Sequence, residues 1–162
     1  MLNGVPDEID LKIMQLLQLD ARLEVVELAR RVHLTRTPVA NRVQKLKDRG
    51  YIKAYVTLLD REKIDQPVLV VVHVKLREQT REWLHRFEQA AMALSQVQSC
   101  LHVSGCWDFI LQVTAVTPQS YYIFLMEEIC SLPNVAHVES SLVLRESKSH
   151  GAFELACHQK AS

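Results

Sequence analysis

Apolar positions in the first fifty residues recur at helical spacing. A helix over Asp10–Asp20 puts Ile9, Ile13, Leu16 and Leu17 on one face, and after a break at Asp20–Leu23 a shorter helix over Glu24–Val32 turns Val25, Leu28, Ala29 and Val32 inward. His33-Leu34 makes a tight connection to a third helix. Thr35 is placed to cap that helix, its hydroxyl accepting from a free amide of the first turn, and Pro38 falls where a missing N–H costs little. Val39, Val43 and Leu46 face inward, and Gly50 closes the helix in the left-handed conformation. Tyr51–Leu59 then alternates as a strand would, and polar Arg61–Pro67 reads as a linker.

The remaining pattern is β-α-β-β-α-β. Val68–Arg77 is a strand, apolar on both faces at its start, and Thr80–Leu94 is a helix with Leu84, Phe87, Ala91 and Leu94 inward. Val97–Ser104 and Asp108–Ala115 are strands joined at Gly105-Cys106-Trp107. Pro118–Leu132 is a helix with Tyr121, Leu125, Ile129 and Leu132 inward. Val135–Arg145 closes the order as a strand with Ala136, Val138, Leu142 and Leu144 on one face. This predicts an α+β chain: a helix-turn-helix domain with its strand in residues 1–60, a linker at 61–67, a ferredoxin-like domain at 68–146 and a tail at 147–162. Both helices of the second domain cover one side of its sheet, and Val68–Val74 is too apolar for the other side to face water. A second copy is the expected cover, so at least a homodimer is predicted.

Composition narrows the class. The chain has 162 residues, 48% hydrophobic and 23% charged, which is ordinary for a globular protein. No apolar run approaches the roughly 20 residues that span a bilayer, and acidic Asp7, Glu8 and Asp10 stand where a secretory signal needs basic residues. A cytoplasmic protein without a membrane role is expected, and Cys100, Cys106, Cys130 and Cys157 are read as free thiols. The zero net charge hides an asymmetry: residues 30–53 hold eight basic side chains and one acid, Asp48.

That basic stretch coincides with the third helix, which turns charge into a nucleic-acid signal. Arg36, Thr37, Asn41 and Arg42 are expected to meet bases in the major groove, because their side chains present donors and acceptors to base edges from the N-terminal half of the helix. Thr35, Arg30, Arg31, Lys45, Lys47, Arg49 and Lys53 surround them, the cations suited to phosphates. Paired copies would read two half-sites of double-stranded DNA about 34 Å apart, or multiples of that.

Over nearly its whole length the sequence resembles the Lrp/AsnC (leucine-responsive, feast/famine) transcriptional regulators. The residues that carry this are Ile9-Asp10, Ile13, Leu16-Leu17, Asp20-Ala21-Arg22, Glu27-Leu28-Ala29, Leu34 through Val39, Arg42-Val43, Leu46, Gly50-Tyr51-Ile52, Gly105-Cys106-Trp107-Asp108 and Ser140-Ser141. The resemblance implies a winged-type helix-turn-helix, a linker strand and a ferredoxin-like sensing domain. It also implies dimers that assemble into a larger homo-oligomer, an octamer, with a small effector, an amino acid, bound between dimers. It further places the effector around His102, Val103, Ser104, Gly105, Trp107 and Asp108, with Gln119 and Leu142 completing the pocket from a neighbouring chain. In that reading Asp108 accepts from an α-ammonium, Gly105 admits a carboxylate to backbone amides and Trp107 forms a wall; the bland alternative is that Gly105 and Asp108 only shape a hairpin. His33, Cys106-Trp107 and Asn134 depart from the family pattern, and the tail from Ser147 is longer than it needs.

Three rival readings stand beside this one, two of them using the same loop residues. Cys100, His102 and Cys106 suggest a metal or thiol-redox sensor, although no paired C-x-x-C spacing supports it. Cys106, His102 and Asp108 can be written as a catalytic triad, but residues adjacent on one hairpin rarely reach triad geometry. The sirohaem decarboxylases share the two-domain architecture; the Thr37/Asn41/Arg42/Lys45 face argues for DNA instead. No cofactor, no metal and no enzymatic activity are expected.

Overall fold

A computed structural model describes residues 5–149 and 151–155; Cys157 and the tail beyond Leu155 lie outside the described residues, as do residues 1–4 and 150. The chain divides into two compact units, Met1–Thr57 with Lys148–Ser162, and Leu58–Ser147.

The first unit is built on α1 (Glu8–Leu19), α2 (Val25–Arg31) and α3 (Arg36–Asp48). Asp7 caps α1 in a reciprocal box: its carboxylate accepts from the Asp10 amide, and the Asp10 carboxylate accepts from the Asp7 amide. The predicted inward residues Ile13, Leu17, Leu28, Ala29, Val32, Val39 and Leu46 form one buried cluster, joined by Met14. Two helix ends use the same device. The Tyr51 and Gly50 amides donate to the Leu46 and Lys47 carbonyls, with Gly50 left-handed at φ 75°. At the end of α2, the Leu34 and His33 amides donate to Ala29 and Arg30, with His33 at φ 56° in the place a glycine would fill. Thr35 does precede α3 as its N-cap, but its hydroxyl makes no capping hydrogen bond, contrary to the sequence expectation.

The strand expected over Tyr51–Leu59 is not formed. Its alternation is real, yet a strand needs a neighbouring backbone, and among the described residues none pairs with it; Tyr51, Tyr55, Val56, Leu58 and Leu59 stay exposed. The 61–67 segment holds a single 3₁₀ turn, Glu62–Ile64.

The second unit orders β1 (Val68–Leu76), α4 (Arg81–Met92), β2 (Val97–His102), β3 (Phe109–Ala115), α5 (Pro118–Glu127) and β4 (Val135–Leu142) into an antiparallel sheet with strand order β2-β3-β1-β4. This is the ferredoxin-like arrangement. Val70, Val72, Val74 and Leu76 meet Phe109, Leu111 and Val113 on the helix-covered side, against Phe87, Ala91, Tyr121, Phe124 and Ile129. Phe124 is a core residue the periodicity missed, because apolar neighbours on both sides blur the helix face. Threonines start both helices: Thr80 accepts from the Trp83 amide, and Thr117 forms a reciprocal box with Ser120. The second helix stops at Glu127 and continues as a 3₁₀ turn, Ile129–Ser131, so Leu132 lies outside it.

β4 departs from expectation in two ways. It pairs only to Leu142, leaving Leu144 92% exposed. A bulge also sets Leu76 against Val135 but Lys75 against His137, so the extra residue Ala136 is displaced outward while Val135 and Val138 pack inward. The other side of the sheet carries Leu69, Val71, His73, Ile110 and Leu101; of these Leu69 is 7% exposed, whereas Leu101 stands 52% exposed. Among the described residues no helix is long and apolar enough to cross a membrane.

Candidate nucleic-acid interface and ligand loop

Burying Val39 and Leu46 fixes which side of α3 points outward. Arg36, Thr37, Asn41, Lys45 and Arg49 are exposed. Thr37, Asn41, Lys45 and Arg49 line an open cleft of about 600 Å³ together with Asp7 and Asp10. The reading face expected from sequence is therefore one surface, with Thr35 exposed at its N-terminal edge.

Arg42 is the exception. Its guanidinium donates to Asp7 at 2.6 Å and to Asp10 at 2.7 Å, so the helix expected to put Arg42 on bases instead ties it to the capping box of α1. Burial disfavours the Asp7 charge, but the Asp10 amide and the Arg42 guanidinium outweigh it and hold the carboxyl below its usual range. Asp10 and Asp7 in turn push the Arg42 pKa further up. A guanidinium with two carboxylates already in contact bridges α1 and α3 instead of standing free on the outer face.

The flanking cations also have partners. Arg30 and Arg31 of α2 share Glu27, at 2.8 and 2.6 Å, and their hydrogen bonds pull its carboxyl down to about 2. Lys47 lies over the Tyr55 ring, 4.9 Å from its centroid, and Gln44 donates to Asp48. Arg36, Lys45, Arg49 and Lys53 remain exposed on or beside α3.

In the second unit, residues 103–108 connect β2 to β3, with His102 the last residue of β2. Gly105 adopts φ 121°, a conformation that excludes other residues although space for a Cβ exists. The Val103 amide donates to the Asp108 carbonyl, closing the loop. Asp108 itself is 6% exposed. One carboxylate oxygen accepts from Lys75 at 3.1 Å, the other from the Leu76 amide at 2.8 Å and Gln79 at 3.4 Å. Burial opposes its charge, yet these three donors keep its pKa below the ordinary carboxylate range. In this arrangement the carboxylate ties the loop to β1 and Gln79, and an α-ammonium would have to share or displace these donors.

The loop's other members diverge. His102 stacks on Phe109 and opens onto a cleft of about 850 Å³ with Gln79, Arg81, Glu82, His85 and Glu88. Trp107 packs against His73 and His137, its ring centroid 5.6 Å from each. Ser104 is exposed and Val103 half-buried. Gln119 and Leu142 are both exposed, but they stand at the far end of the sheet: Leu142 pairs with Val70, whereas the loop joins β1 at Val74. Four residues of strand separate those rungs by about 13 Å, so one chain does not bring the two sets together.

The rival chemistries fare differently from the loop. Burial, with Glu88 nearby, pushes the Cys100 thiol up to about 11, away from the thiolate that metal binding or oxidation needs. Among the described residues no three His, Cys, Asp or Glu side chains are grouped to hold a metal ion. Asp108 is committed to Lys75, Leu76 and Gln79 while His102 stacks on Phe109, so neither stands as base or orienter for exposed Cys106.

Both units of the chain resemble domains of known proteins. A model of the Lrp/AsnC ligand binding domain matches residues 69–153, and one of winged helix-turn-helix DNA-binding domains matches residues 6–53. The Bkd operon transcriptional regulator of Pseudomonas aeruginosa is 37% identical over 139 residues, 86% of this chain and 91% of that protein. The leucine-responsive regulatory protein of Escherichia coli K12 is 34% identical, covering 88% of this chain and 87% of its own. The crystal structure of a Neisseria meningitidis transcriptional regulator in complex with L-methionine superposes with a TM-score of 0.86 at 29% identity, covering 93% of this chain and 97% of that one.

Proposed function

The chain belongs to the Lrp/AsnC family of transcriptional regulators, and we propose that it reads DNA through the exposed face of α3 under the control of an amino-acid effector. The observation that carries this is the outward row Arg36, Thr37, Asn41 and Lys45 on a helix held by its buried Val39 and Leu46. Thr37 and Asn41 supply base-edge contacts; Arg36, Lys45 and Arg49 supply cations for bases and phosphates. Arg30 and Arg31 reach phosphates by exchanging Glu27 for them, and Arg42 sets the angle of α3 without touching DNA.

The effector reading rests on the ligand-binding family of the second unit and on the methionine complex of the Neisseria protein. The distance between the 102–108 loop and the Gln119/Leu142 end means that a pocket using both needs at least two chains. Gly105, Ser104 and the exposed edge of Trp107 come from one copy, and Gln119 and Leu142 from another. A homodimer that covers the apolar sheet face, assembled further into an octamer, supplies that arrangement. Such a regulator works in the cytoplasm and needs no cofactor and no catalytic step. The test is a thermal-shift panel of the twenty amino acids followed by mobility-shift titrations with whichever stabilise the protein. A stabilising amino acid that also changes DNA affinity supports the reading; DNA binding indifferent to every amino acid removes the effector part.

A further inference from the structure

Past Val143, whose amide still donates to the Leu69 carbonyl of β1, the chain leaves the sheet. Residues 148–155 cluster with the helix-turn-helix unit. There the Gln18 side chain closes a two-way contact with one residue of that segment: the Phe153 amide donates to Gln18 Oε1 at 2.7 Å, and Gln18 Nε2 donates to the Phe153 carbonyl at 3.3 Å. One turn earlier, Gln15 Nε2 donates to the Leu155 carbonyl at 3.0 Å, and Leu155 packs against the buried helical core. Residues three apart on a helix share a face about 5–6 Å apart, and alternate carbonyls of an extended chain are spaced about 6.6 Å, so the two glutamines match the register of the segment. A side-chain amide that both donates and accepts treats the segment as a neighbouring strand would.

The chain therefore passes between its two units twice, at 57–58 and at 147–148. Both passages start from one clamped point of the second unit. Arg61, just after the first, bonds Glu146, just before the second, at 2.8 Å, with each side chain about one-third exposed. One flexible connection leaves orientation free; a second, attached elsewhere on the same body, narrows the orientations open to it.

We infer that the outer face of α1, Gln15, Gln18 and the site that takes Leu155, is a docking surface for residues 151–155 of the same chain, which serve as a second arm steering the helix-turn-helix from the sensing domain. The first arm follows α3 and the second holds α1. The steering role rests on the DNA-reading function proposed above; the docking does not.

Two variants test both parts: the chain ending at Ser149, and full-length Gln15→Ala/Gln18→Ala. Hydrogen exchange is read at the Phe153 amide and along α1. DNA affinity is read on duplexes carrying one or two half-sites selected with the wild-type chain. Docking predicts a protected Phe153 amide in the wild type that exchanges at least tenfold faster in the double variant, and faster exchange in α1 of both variants with β1–β4 unchanged. Steering predicts at least a tenfold loss of affinity for the two-site duplex with the one-site affinity within twofold. Exchange within twofold of wild type overturns the docking. Faster exchange with both affinities unchanged overturns the steering. If the wild-type chain selects no DNA, the DNA reading fails and the exchange data alone decide the docking.

Discussion

Arg42 on α3 donates to Asp10 on α1 at 2.7 Å, so the third helix is held by the cap of the first. The same two carboxylates, Asp7 and Asp10, close the α1 capping box and receive the guanidinium. Substitution of Arg42 and of its exposed neighbour Lys45 should therefore have different signatures.

Lys45→Ala should weaken DNA binding and flatten the dependence of log K on log salt by about 0.9, the loss of one phosphate contact. Arg42→Ala should leave that slope unchanged. It should instead lower the stability of the helical unit by about 1 kcal/mol, a charge-assisted contact discounted for partial exposure. Salt titrations of both variants check this; an Arg42→Ala slope as flat as that of Lys45→Ala would return Arg42 to the DNA face.

Acid should unfold the two units through different carboxylates. Asp7 and Asp108 are both held below the ordinary aspartate value in the folded chain. Each therefore contributes stability that is present above that value and lost as pH falls through the lower folded one. Urea midpoints measured from pH 7 down to pH 2 should fall below about pH 5, and Asp108→Asn should remove the acid dependence of the sheet unit while leaving that of the helical unit.

Asp108→Ala should destabilise the second unit by about 2–3 kcal/mol, because it strands the Leu76 amide and leaves Lys75 without its partner. Thermal unfolding measures it. An Asp108→Ala protein as stable as the wild type would reinstate this carboxylate as a ligand acceptor.

His33→Gly should stabilise the helical unit by about 1 kcal/mol. The left-handed backbone at φ 56° strains an L side chain, and the gain is only partly offset by the freer unfolded chain of a glycine. Chemical denaturation checks the sign; a loss of stability would mean that the imidazole does more than occupy the turn.

Periodicity reveals sidedness, and sidedness was enough for Ile13, Leu28, Val39 and Phe87. It does not reveal partners. Tyr51–Leu59 alternates like a strand without a ladder to join, and Ala136 turns outward because a bulge shifts the phase by one residue. Asp108 looks like a free acceptor in a loop until Leu76, thirty-two residues earlier, donates to it. Arg42 shares the exposed surroundings of Asn41 in sequence, and only the approach of Asp7 and Asp10 separates their roles. The docked tail was invisible for the same reason: Gln15 and Leu155 are 140 residues apart. The Asp7–Asp10 box did leave a signal, a D-x-x-D pattern before an apolar run, but a helix read from Asp10 passes over it.

The most direct measurement is selection of duplexes from a random-sequence pool by the wild-type chain and by Thr37→Ala/Asn41→Ala. The account predicts that the wild type enriches paired half-sites about 10.5 base pairs apart, or a multiple of that. The double variant should lose that enrichment, each lost base contact costing about 1–3 kcal/mol of discrimination. Identical enriched sequences from both proteins, or none from the wild type, would contradict the claim that this face of α3 reads DNA.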